Sequence, residues 1–142
     1  MTASHDMSGH CLCGQVTVSV SLDDCSVGAC HCSICRKWGG GPLLAVECGE
    51  NVRFEGKEHI HTYSSSDWAE RGFCRQCGTH LFYRLKEGGF YALPVGLLEG
   101  EPGWRLDHQV FIDEKPGFYS FAEETDNLTG AEVFARFDSS SR

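Results

Sequence analysis

The sequence predicts a mainly β protein, and three observations carry that expectation. Short segments with apolar and polar residues in alternation recur along the chain, as in Gln15 to Ser21 and His59 to Tyr63. Glycine is abundant, at 17 residues against 4 prolines, which gives frequent turns between short elements. Only Ser33 to Trp38 and Ala131 to Phe137 read as helical, and each is a turn or two long. At 142 residues with 41% hydrophobic content, the chain is large enough to bury a core. It reads as a single domain over residues 9–137, with a flexible N-terminus at 1–8 and a flexible tail at 138–142.

Along the chain, Gln15 to Ser21 places valines at period two and predicts a half-buried strand, with Cys11 and Cys13 on its lead-in. Leu22 to Ala29 reads as a loop. Ser33 to Trp38 makes a short helical turn, stopped by Gly39-Gly40-Gly41-Pro42. Leu43 to Val46 is a short buried strand, and Asn51 to Gly56 is a strand and turn. His59 to Tyr63 alternates again, with His59 and His61 on one face. Cys74-Arg75-Gln76-Cys77-Gly78 is a thiol knuckle, followed by a strand at His80 to Leu85. Phe90 to Leu97 gives a strand in which Pro94 marks an edge or a bulge, and Asp107 to Ile112 gives a late one. The aromatics Trp104, Phe111, Phe118, Tyr119 and Phe121 read as core or pocket wall.

Composition excludes several classes of function. A formal charge of -8 offers no basic face for a phosphate backbone, so no nucleic-acid partner is expected. No apolar run approaches the roughly 18 residues of a spanning helix, and Met1 to His10 has no apolar export core. The expectation is a cytoplasmic protein without a membrane partner, monomeric or homodimeric. Nine cysteines, an odd number without an export signal, favour metal-bound thiolates over a disulfide framework.

Seven of the nine cysteines fall in short-spaced sets, leaving Cys25 and Cys48 as small buried hydrophobes. Cys11 with Cys13, and Cys74 with Cys77, together close one tetrahedral shell. Cys30, Cys32 and Cys35 supply three ligands and leave a fourth position free, the pattern of an open metal site. Two zinc ions are the expectation, one in a closed shell and one in an open shell. An iron-sulfur cluster also takes four thiolates, but paired short spacings suit separate mononuclear sites better. Arg36 and Lys37 follow the central thiols and, with Arg71, are candidate contacts for an anionic ligand, while Trp38 beside them is a candidate pocket wall. His31, between two ligands, is the nearest candidate for proton transfer.

The succession Gly9-x-Cys11-x-Cys13-Gly14-x-Val16, then Cys30-His31-Cys32-Ser33-x-Cys35-Arg36-Lys37, then Phe73-Cys74-x-x-Cys77-Gly78, resembles the glutathione-dependent formaldehyde-activating enzyme family. That domain is shared with centromere protein V. The resemblance runs from about Gly9 to the Lys115-Pro116 turn. It implies a zinc-binding β-tent of coiled antiparallel sheets, with Cys11, Cys13, Cys74 and Cys77 on a structural zinc. Cys30, Cys32 and Cys35 then hold a catalytic zinc. The implied reaction is addition of glutathione to formaldehyde, giving S-hydroxymethylglutathione, or its reverse as a carbon-sulfur lyase. By adjacency and charge, Arg36, Lys37 and Arg71 are then the candidate contacts for glutathione carboxylates, with Trp38 as a candidate pocket wall.

Overall fold

The computed structural model describes residues 5–140, with side chains through Arg136. In chain order the elements are β1 (His5–His10), β2 (Thr17–Leu22), β3 (Ser26–Cys30), α1 (Ser33–Gly39), β4 (Leu43–Gly49) and β5 (Val52–Glu55). There follow β6 (Ile60–Ser64), β7 (Ala69–Cys74), β8 (His80–Leu85), β9 (Tyr91–Pro94), β10 (Arg105–Val110), β11 (Asp126–Leu128) and α2 (Gly130–Ser140). Single 3-10 turns lie at Lys57–His59, Val95–Leu97 and Ile112–Glu114. The fold is mainly β, with few helices.

Within the span read as one domain, the contacts gather into two compact units, one from residues 5–25 and 46–104 and the other from 26–45 and 105–140. In the first unit, β1, β2 and β5 form a three-stranded antiparallel sheet. Period-two patterning decides its register: Val18 and Val20 turn inward, and Val18 faces Phe54 across the β2–β5 pair. Strands β6, β7, β8 and β9 are successive antiparallel neighbours. Leu81 and Leu93, both wholly buried, belong to the core of this unit, where Phe82 and Tyr91 meet edge to face and Phe54 packs tilted against both.

The second unit is built differently. Strand β3 pairs antiparallel with the start of β4, but parallel with β10, and β10 is parallel to β11. The expectation of purely antiparallel sheets is therefore corrected in this unit. A parallel neighbour needs a long return connection, and the chain between β3 and β10 is long enough to supply one. The buried residues here include only a few apolar side chains, Val27, Ala29 and Cys35, beside the polar His31 and Gln109.

Several expectations shift. Leu22 to Ala29, read as loop, contains most of β3: Val27 and Ala29 are buried, while Ser26 and Gly28 dilute the pattern. Residues 5–8, within the stretch read as a flexible N-terminus, pair with β2, Met7 opposite Val20; residues 1–4 lie outside the described residues. Helix α2 runs to Ser140, into the stretch read as a tail, and 141–142 lie outside the described residues. His59 sits in a 3-10 turn rather than on β6, so it shares no strand face with His61, whose ring packs on Phe73 at 5.2 Å.

Candidate metal centres

Two groups of thiols converge, each within one unit. In the first unit the sulfurs of Cys11, Cys13, Cys74 and Cys77 all lie within 4.8 Å of one another. The Sγ atoms of Cys11 and Cys13 are 3.6 Å apart, and those of Cys13 and Cys74 are 3.7 Å apart. A tetrahedral zinc with sulfurs at ~2.3 Å requires about 3.8 Å between ligands, whereas a disulfide requires about 2.05 Å. The spacing fits a shared cation, and every cysteine among the described residues is free.

Two turns of similar design bring these sulfurs together. After β1, Gly14 donates its N–H to the Cys11 carbonyl at 3.0 Å; after β7, Gly78 donates to the Cys74 carbonyl at 2.7 Å. Both glycines occupy the left-handed region, with φ of 80° and 78°, where a Cβ would be strained. The first pair of sulfurs therefore converges through a turn, not through the strand alternation expected for Cys11 and Cys13. Thr79 joins the turns: its hydroxyl accepts from the Leu12 N–H at 3.1 Å and lies 3.1 Å from the Cys77 sulfur. Hydrogen bonds from that hydroxyl and from the Thr79 N–H pull the Cys77 thiol down to about 5. The Val16 N–H points at the Cys11 sulfur at 3.3 Å.

The second group lies where β3 passes into α1. Cys30 ends the strand, Cys32 caps the helix, and Cys35 stands in its first turn; their sulfurs also lie within 4.8 Å of one another. The Cys32 sulfur accepts the Cys35 N–H at 3.3 Å, and the Glu114 carboxylate accepts the Ser33 N–H at 3.0 Å. Sulfhydryl donation from Cys30 and Cys35, helped by backbone N–H groups, holds the Cys32 thiol far below its usual range. The same hydrogen bonds, with burial, push Cys30 far above it. A divalent cation would replace those shared protons. Three donors of this kind, without a fourth His, Cys, Asp or Glu among the described residues, fit a metal with an open coordination position.

His31 is wholly buried. Its Nε2 lies 2.7 Å from the Gln109 amide oxygen and its Nδ1 lies 2.8 Å from the Tyr119 hydroxyl. Gln109 in turn donates from Nε2 to the Thr125 hydroxyl at 2.8 Å. Because Gln109 presents an acceptor, the imidazole carries its hydrogen on Nε2, and Nδ1 accepts from Tyr119. Burial, with Lys115 and Arg36 nearby, holds the ring below its usual pKa, and hence neutral. With both nitrogens engaged, His31 is an anchor for the thiol loop rather than a free proton carrier.

Among the other expected contacts, Arg36 is half-buried on α1 and donates from Nε to the His31 carbonyl at 2.9 Å. Lys37 is exposed and Trp38 half-buried on the same helix. Arg71 belongs to the other unit, buried on β7, with its guanidinium 5.1 Å over the Tyr83 ring and its Nε donating to Ser65. Cys25 and Cys48 are buried apart from both groups, and burial raises Cys48 to about 12. Sequence reasoning missed Gln109, Thr79 and Glu114, and read Tyr119 as core or pocket wall without its hydrogen bond to His31. Of these only Thr79 had a local signal, as the polar residue that follows the knuckle glycine.

A family model described as glutathione-dependent formaldehyde-activating enzyme matches residues 6–114. A Schizosaccharomyces pombe protein described as an uncharacterized lyase is 34% identical over 129 residues, covering 90% of this chain and 94% of its own. A Halomonas elongata protein that bears the family's name provisionally is 32% identical over 85 residues, 54% of each chain. The crystal structure of a Rhodobacter sphaeroides protein is similar with a TM-score of 0.56 and 29% identity, over 66% of this chain and 89% of that one. Both thiol groups fall inside the matched span. No helix among the described residues is long and apolar enough to cross a membrane.

Proposed function

The chain belongs to the glutathione-dependent formaldehyde-activating enzyme family, and from that premise we propose that it is a zinc-dependent carbon-sulfur lyase or synthase acting on glutathione adducts. The reaction is addition of glutathione to formaldehyde to give S-hydroxymethylglutathione, or its reverse. The observation that carries this reading is the three-thiol group of Cys30, Cys32 and Cys35, open where the four-thiol group is closed. The lyase description of the Schizosaccharomyces pombe relative supports the same class of chemistry. The β-tent arrangement that the family implies belongs to this proposal, as does a cytoplasmic location, where a reducing milieu keeps thiols available to metal.

Cys11, Cys13, Cys74 and Cys77 would hold a structural zinc, and Cys30, Cys32 and Cys35 a catalytic one. When bound there, zinc supplies a position in which an incoming thiol ionises and is presented to an aldehyde. The chain's own groups do the rest. His31, fixed by Gln109 and Tyr119, sets the backbone between Cys30 and Cys32, so the sulfurs stay preorganised. Lys37 and the free N–H groups of Arg36 meet glutathione carboxylates, and Trp38 walls the site. Arg71, spread over Tyr83, serves the fold of its own unit.

The test is the rate of exchange between free glutathione and its formaldehyde adduct, measured against the reaction without protein, because the adduct also forms unaided. Wild type should accelerate exchange, and Cys32→Ser at equal structural zinc content should not. Equal rates in the two proteins would sink the catalytic reading in favour of a noncatalytic binding domain.

A further inference from the structure

His31 leaves the three-thiol group without a proton acceptor, because both of its nitrogens are engaged. A second histidine of the same unit, His108 on β10, keeps one nitrogen open. Its Nδ1 donates to the Asp107 carboxylate at 2.7 Å, and the Ser26 hydroxyl donates to the same oxygen at 2.6 Å. With the hydrogen fixed on Nδ1, Nε2 carries a lone pair. That nitrogen has no hydrogen-bond partner among the described residues. The side chain is 31% exposed, so small solutes reach it.

The strand register places this ring on the Cys30 side of the sheet. In the parallel pair of β3 and β10, His108 stands opposite Gly28 and Val110 opposite Cys30. Gly28 and Cys30 are two residues apart and share one face of β3. Gln109, which holds His31, belongs to the other face with Ala29. The register shifts between Leu106 and His108, and this bulge sets the Asp107 carboxylate beside the ring of its neighbour. The imidazole then leans onto β3, where a Cβ on Gly28 would stand 2.2 Å from Nε2. Only glycine clears it. Positions two apart on a strand lie about 6–7 Å from one another, so the open nitrogen stands one small group away from the position that supplies the Cys30 sulfur. It does not join Cys30, Cys32 and Cys35 in their cluster of ligand atoms.

We propose that His108 carries the proton for the reaction at the three-thiol group, held in the required tautomer by Asp107. The assignment rests on the reading that a glutathione adduct is made or broken at Cys30, Cys32 and Cys35. In breakdown, Nε2 takes the proton of the hydroxymethyl oxygen, the carbon-oxygen double bond forms, and the carbon-sulfur bond breaks with its electron pair left on sulfur. Formaldehyde, a thiolate and an imidazolium result. Addition runs the same steps in reverse, the imidazolium returning its proton to oxygen.

The experiment compares the zinc-loaded full chain with His108→Asn, whose amide keeps a donor for Asp107 but has no basic nitrogen. Exchange between glutathione and its formaldehyde adduct is followed by NMR across substrate concentrations, with the rate without protein subtracted. The variant should lose about 100-fold of the protein-dependent rate at saturation. Its KM, zinc content and urea midpoint should match wild type. A second readout is the imidazole nitrogen resonances of wild-type His108: adding S-hydroxymethylglutathione should shift Nε2 and leave Nδ1 in place. An unchanged saturating rate, a loss confined to KM, or an Nε2 resonance that ignores the adduct overturns the assignment, while wild-type exchange leaves the reading beneath it standing. If wild type gives no exchange above the rate without protein, both fall.

Discussion

The imidazole of His31 accepts the Tyr119 hydroxyl on Nδ1 at 2.8 Å, joining positions 88 residues apart in sequence. Replacing His31 with Leu strands the buried Gln109 amide, so the variant should lose about 2–3 kcal/mol of stability. Tyr119→Phe leaves only Nδ1 unpaired and should cost about 1 kcal/mol. Urea unfolding of both variants checks the order; equal losses would mean that the Gln109 contact contributes nothing.

The two thiol groups should separate on mutation. Cys74→Ser removes a ligand from the closed group and should disrupt the fold around β7 and β1, with the protein retaining about one zinc or none. Cys32→Ser should keep a folded chain with about one zinc. Metal analysis alongside circular dichroism distinguishes them, and loss of fold in Cys32→Ser would contradict the division of roles.

Gly78 has φ of 78°, and nothing crowds the position where a Cβ would stand. Gly78→Ala should therefore pay only the backbone strain of the left-handed region, about 1–2 kcal/mol. Since the strained turn also sets the position of Cys77, a zinc-competition titration should show weaker retention at the four-thiol group. Gly39→Ala, with ordinary φ and open space, is the control.

Arg36 and Lys37 should part company. Arg36 spends its Nε on the His31 carbonyl, so Arg36→Ala should lower both glutathione affinity and stability, the latter by about 1 kcal/mol. Lys37 is exposed, and Lys37→Ala should weaken binding about threefold with unchanged stability. Unchanged affinity in both variants would remove the anion contacts from α1.

Asp107 gives an acid-side prediction. Hydrogen bonds from His108 and Ser26 hold its carboxyl below its ordinary value of 3.8. A depressed carboxylate contributes stability that is complete above the unfolded value and is lost as pH falls through the folded one. Asp107 is partly exposed, so the contribution is about 0.5 kcal/mol. Below about pH 4, wild type should lose stability faster than Asp107→Asn, read as the urea midpoint against pH; parallel curves would refute it.

Much of this was legible in the sequence because the signals were local. The valines of β2 announce their strand by alternation, and His80 to Leu85 reads as the strand it forms. Both thiol groups assemble as their spacings suggest. What escaped depends on distant partners. Strand β1, HDMSGH, carries no apolar rhythm and becomes a strand by pairing with β2, while β11 has only three residues and borrows its conformation from β10. Gln109 and Tyr119 looked like ordinary strand and turn residues, since their contact with His31 closes over 78 and 88 residues.

The meeting of Cys13 with Cys74 spans 61 residues of chain. A metal ion there would act as a reversible cross-link, and closing a loop of that length removes about 4 kcal/mol of disorder from the unfolded chain. The fastening cannot form until the ribosome has released the second turn. Until then the N-terminal hairpin of β1 and β2 holds two bare thiols without the partners that complete their shell. With a metal at the four-thiol group, its supply during synthesis as well as in the finished protein would bear on how much chain reaches the folded state.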